Sequence, residues 1–170
     1  MRTYPRHLRR KGVCANFRVT LEFIGPEPQG LRFRVAFDAS PARWLLPYPK
    51  ITGLRFIPAD GTAACEWLTR YLVTEPRDEF VLSRDDRIAF DLVAPANASA
   101  KDFRWTIQLA PGEYDVHYIF EVGPGKTRYD YLGRGSRFAD MTPPWVGAVE
   151  SNVVRVSVAG SRGVTDCDVE

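Results

Sequence analysis

The residues able to do chemistry are few and widely spread. Asp115 and His117 sit two apart in an alternating stretch, so they share one face of a strand. A carboxylate beside an imidazole can orient a general base, but on a sheet face it more often forms a solvent-side cross-strand contact. Ser136 lies in Gly133-Arg134-Gly135-Ser136-Arg137, one residue out of step with a nucleophile elbow. The histidines that could serve it are His7, in a basic arm, and His117, in mid-strand. Gly123-Pro124-Gly125-Lys126-Thr127 matches the end of a phosphate-binding loop, but that loop needs glycine where Phe120 stands and a helix immediately after. A hairpin turn carrying a lysine accounts for it.

Metal and redox chemistry are equally poorly supplied. Cys14, Cys65 and Cys167 are odd in number and far apart, without a CxxC pair. One pair could bridge in an oxidising compartment, or all three could be free thiols. Glu75, Asp78, Glu79, Asp85 and Asp86 make an acidic turn rather than a tight ligand set. These patterns predict no cofactor and no metal, and an enzyme with a dispersed site ranks last. Asn97-Ala98-Ser99 fits a glycosylation sequon, a match short enough to arise by chance.

The elements that would position these side chains alternate with period two. Phe17, Val19, Leu21 and Phe23 are followed by a stop at Gly25-Pro26, and Leu31, Phe33, Val35 and Phe37 end at Asp38. Further strands are expected around Leu54–Phe56, Cys65–Val73, Phe80–Leu82, Ile88–Leu92, Trp105–Leu109, Tyr114–Glu121 and Val154–Val158. No window carries a helical stripe with caps, and 13 glycines and 13 prolines fall at the breaks. The fold class is therefore all-β, with two antiparallel sheets packed as a sandwich. At 170 residues the chain buries a core without staples. It divides into a basic arm (1–13), one domain (14–160) and a polar tail (161–170).

The arm holds Arg2, Arg6, Arg9, Arg10 and Lys11 with no acid, while the whole chain has a net charge of only +2. No aromatic platform accompanies the arm, which argues against nucleic-acid binding. No apolar run follows it as in a secretory leader, and none reaches the length of a membrane span. The sequence as written reads as cytoplasmic by default, or as secreted if a leader was trimmed.

Leu109-Ala110-Pro111-Gly112-Glu113-Tyr114, with Val116, Tyr118 and Phe120 after it, resembles the approach to the sixth strand of immunoglobulin-like domains. The run from Trp145 to Val153 is similar to the last strand of bacterial immunoglobulin-like and fibronectin-III-like modules. The resemblance implies a tyrosine corner, in which the Tyr114 hydroxyl bonds back to upstream backbone. It implies no particular function. The paired cysteines and packed tryptophan of antibody domains are absent.

Two connections exceed what a sandwich needs. One spans about 39–52 with Trp44, Leu46 and Tyr48; the other spans about 123–145 with Arg128, Tyr129, Tyr131, Arg134, Arg137 and Trp145. In immunoglobulin order they leave the same end of the domain. Aromatic and arginine side chains are enriched at interface hot spots, so Trp44, Tyr48, Arg128, Tyr129, Tyr131, Arg134 and Arg137 form the candidate binding set for a protein or peptide. Alternatively Trp44, Leu46 and Trp145 fold inward and cap the core. A carbohydrate-binding or accessory module is the second functional class, favoured by an aromatic row on a sheet face.

Overall fold

A computed structural model describes residues 17–39, 42–69, 78–98, 103–123, 142 and 144–159. These residues form an all-β protein of several antiparallel sheets. The one helical element among them is a 3-10 turn, Ile51–Gly53.

The first sheet contains β1 (Phe17–Glu27), β2 (Gly30–Ala39) and β7 (Arg87–Ala94), in the order β1-β2-β7. The β1–β2 hairpin turns tightly between Glu27 and Gly30. Gly30 (φ +151) approaches the next strand so closely that a Cβ would lie 1.8 Å from the Ala94 carbonyl oxygen. The expected stop at Gly25-Pro26 is overturned. A register shift between Phe23 and Gly25 absorbs the irregularity, and pairing resumes to Glu27. Proline survives there because β1 is an edge strand, where a missing N–H breaks no ladder bond.

The second sheet is built on β9 (Gly112–Val122). One side pairs with β4 (Leu54–Pro58), the other with β10 (Gly147–Glu150) and β11 (Val154–Val158), laid end to end. Between these last two, Ser151, Asn152 and Val153 oppose only Tyr118 and His117, a β-bulge. The apolar faces of both sheets share one core. Phe33 meets Phe56 at 5.7 Å between ring centroids and Phe37 meets Phe120 at 4.9 Å. On β9, Tyr114, Val116, Tyr118 and Phe120 all point into it.

Two short ladders accompany the main sheets: β3 (Trp44–Pro47) with β6 (Glu79–Leu82), and β5 (Trp67–Thr69) with β8 (Trp105–Ile107). The strand expected over 65–73 therefore begins at Trp67, and its residues beyond Thr69 lie outside the described set. β3 falls inside the first long connection, which thus carries structure of its own. The arm and tail lie outside the described residues, as do Cys14 and Cys167. Cys65 is a free thiol, and partial burial pushes its pKa up.

Two asparagines act as strand partners through their side chains. Asn152, in the bulge, accepts from Leu21 N at 2.9 Å and donates to Leu21 O at 3.0 Å, stitching the second sheet to the outer edge of β1. Asn97 does the same to Leu109, accepting from its N–H and donating to its carbonyl, both at 2.8 Å. The sequon amide is therefore already committed to the backbone. Asn97 sits at φ +56, a left-handed conformation that asparagine tolerates better than most residues.

Candidate binding surface

The described residues of the two long connections meet. Leu45, in the first, forms a parallel bridge with Pro144 at the close of the second, and Trp145 N–H donates to Leu45 O at 3.1 Å. The burial of β3 is not alternating. Leu45 and Leu46 are buried, whereas Trp44 is half-buried against the core. The Trp44 indole Nε1 is shielded and has no hydrogen-bond partner among the described residues. Tyr48 follows β3 between Pro47 and Pro49 and is 46% exposed, with its N–H held by Asp78 O. Its ring leans on Phe90 at 5.2 Å and Phe80 at 5.9 Å, so a surface ring rests on core rings.

Trp145 belongs to the core, at 3% exposed. It stacks on Phe120 at 5.7 Å and meets the edge of Phe17 at 4.9 Å. Gly147 makes room for it, since a Cβ there would stand 2.8 Å from the indole. Leu46 and Trp145 thus take the capping role, and Tyr48 is the candidate ring that reaches solvent. Arg128, Tyr129, Tyr131, Arg134 and Arg137 lie outside the described residues, as do Lys126, Ser136 and His7.

The strand pair considered for chemistry is engaged in cross-strand contacts. Arg155 donates to Asp115 Oδ1 from Nε at 3.0 Å and from Nη2 at 2.9 Å, directly opposite in register. His117 Nε2 lies 3.5 Å from Glu150 Oε1. In the acidic turn, the Asp86 carboxylate accepts from Ser83 N–H at 3.0 Å, which fixes the turn before β7. Among the described residues no group of three His, Cys, Asp or Glu side chains could hold a metal, and no helix is long and apolar enough to cross a membrane.

The solvent faces of the sheets carry charge rather than rings. On the first sheet Asp38 lies between Arg18, at 3.5 Å, and Arg87, at 3.6 Å. Further along the same face, Arg34 grips Asp91 with bonds of 2.8 and 3.1 Å, which holds the Asp91 carboxyl below its ordinary pKa.

Sequence reasoning missed the Phe80–Phe90 support under Tyr48 and both asparagine links. The ring support joins distant strands and has no local signal. Each asparagine stands beside a break in the alternating pattern, which is the one hint available. No protein-family profile, curated protein or solved structure matches the chain.

Proposed function

We propose that the chain is an immunoglobulin-like β-sandwich that recognises a protein or peptide, without catalysis, through the end formed by connections 39–52 and 123–145. The fold part rests on strand order. β1-β2-β7 and β4-β9-β10/β11 correspond to strands A-B-E and C-F-G of that architecture. The tyrosine corner supports it independently: Tyr114 Oη donates to Ala110 O at 2.9 Å, four residues upstream. One departure stands against a simple match. β6 pairs with β3 rather than extending the first sheet beside β7.

The observation that carries the functional reading is the junction of the two connections at Leu45 and Pro144, with Tyr48 exposed beside β3. A tyrosine backed by the buried Phe80 and the half-buried Phe90 offers amphipathic contact area at little cost in conformational entropy. The outward positions of β1, β2, β7 and β9 hold no phenylalanine, tyrosine or tryptophan, which favours a protein ligand over a sugar. The test is affinity capture from the source cell with the full chain, compared with Tyr48→Ala and Arg134→Ala. A partner retained by the wild type and lost by both variants, at unchanged melting temperature, supports the reading. Equal capture by all three removes it.

A further inference from the structure

Three edges of the two principal sheets are closed, each by a different device. The outer edge of β1 takes the Asn152 amide and carries the Gly25-Pro26 irregularity. The β10–β11 edge is interrupted by its bulge. The outer edge of β4 is occupied by Trp67 Nε1, donating to Leu54 O at 2.9 Å, and by Cys65 N–H, donating to Phe56 O at 2.8 Å. β7 differs. It pairs with β2 on one side, and no described strand lies along the other. It contains no proline, glycine, lysine or bulge, the usual protections of an exposed edge. Its core-side residues Ile88, Phe90 and Leu92 are only half-buried, whereas Phe33, Val35 and Phe37 on the neighbouring strand are fully buried.

We propose that β7 pairs antiparallel with β7 of a second copy of this chain, with Ala89 opposite Ala89, to give a two-fold symmetric dimer with a continuous six-stranded sheet. Charge picks out the occupant and the register. This alignment places Arg87 opposite the second copy's Asp91, and Asp91 opposite its Arg87. Across the sheet the outward row then reads Arg18, Asp38, Arg87, followed by Asp91, Arg34 and Glu22 of the second copy. Sign alternates at every step, and symmetry generates the same row twice. Opposite charges facing each other across strands are stabilising and like charges are not. The row between them is Thr20, Ala36 and Ala89 with their mates, small enough for the strands to approach. On the core side, Ile88 meets Phe90 of the second copy, an aromatic–β-branched pair that covers the half-exposed rings. The same patch serves both copies, as a two-fold interface requires.

Sedimentation velocity on the full chain over a concentration series tests this. The wild type is expected to dimerise as concentration rises. Arg87→Glu and Asp91→Arg should each weaken association at least about tenfold, because each sets like charges opposite one another at both contacts. An equimolar mixture of the two variants should regain the dimer. In the mixed pair the introduced glutamate faces the introduced arginine, and the remaining contact keeps its native Asp91 and Arg87. Ala89→Lys leaves the internal ion pairs alone and should also disrupt the dimer, with the melting temperature unchanged at concentrations where the wild type is itself monomeric. A wild type that stays monomeric at all concentrations overturns the proposal. So does a dimer indifferent to these changes, or a mixture that remains monomeric.

Discussion

Replacing Asn152 by alanine probes the seam between the two sheets. The substitution removes both hydrogen bonds to Leu21 and nothing from the apolar core, because the side chain lies in the bulge rather than under it. A typical hydrogen bond contributes about 0.5–1.5 kcal/mol net, so the pair contributes about 1–3 kcal/mol. Asn152 is itself exposed, and water can reach part of the vacated edge, so the expected loss is about 1–2 kcal/mol. With a urea m-value of about 2 kcal/mol/M, the unfolding midpoint should fall by about 0.5–1 M. Tryptophan fluorescence reads the transition, since Trp145 and Trp67 both pack against the core. Amide exchange at Leu21 should accelerate more than at Val35, which lies in the central strand of its sheet. Asn152→Asp sharpens the test. It keeps an acceptor for Leu21 N–H but sets a carboxylate oxygen against Leu21 O, and it should cost at least as much as alanine. An Asn152→Ala midpoint within error of wild type, with Leu21 exchange unaltered, would refute the idea that this side chain joins the sheets.

Tyr114→Phe keeps the ring in the core and removes the bond to Ala110 O, so equilibrium unfolding should show a loss of about 0.5–1.5 kcal/mol. Tyr118 is almost completely buried, donates to Lys50 O at 2.9 Å and is pushed well above the usual tyrosine range by that burial. Its folded pKa exceeds the unfolded value of about 10, so its contribution is full below that pH and is lost as pH rises beyond it. Unfolding free energy should therefore decline above about pH 10, and Tyr118→Phe should flatten that decline. A decline of the same slope in both proteins would exclude Tyr118 as its source.

Period-two alternation made most of the two principal sheets legible, because each strand buries one face and exposes the other. It failed where other interactions govern the backbone. Trp44-Leu45-Leu46-Pro47 shows no alternation, having two consecutive buried leucines and a proline, yet β6 and Pro144 recruit it as β3. Gly25-Pro26 looks like a terminus, but an edge strand can shift register and continue. For the candidate site, the expectation that the two long connections share one end followed from assumed strand order. The Leu45–Pro144 bridge joins their described residues, while Arg128, Tyr129, Tyr131, Arg134 and Arg137 lie outside the described residues. Orientation was not readable in the same way. Trp145 and Tyr48 are similar in type and both flank prolines, yet one lies against Phe17 and Phe120 in the core and the other reaches solvent. Their surroundings separate them: Gly147, two residues on, admits the folded-back indole between Phe17 and Phe120, whereas Phe80 and Phe90 support Tyr48 and leave it exposed.

The Asn152–Leu21 seam joins positions 131 residues apart, and β9 cannot complete its sheet until β10 and β11 are available. On a ribosome, β1, β2, β4 and β7 all emerge before β9, β10 and β11, which complete the cover of their apolar face. Phe37 lacks Phe120, and Phe17 lacks both Phe120 and Trp145, until the chain has lengthened that far. Closing such distant contacts also slows folding of the released chain, since loop entropy is lost before the contacts compensate for it. Substitutions in the seam should therefore lower the yield of folded protein during synthesis more than their equilibrium cost implies, because the incomplete chain exposes apolar surface prone to aggregate.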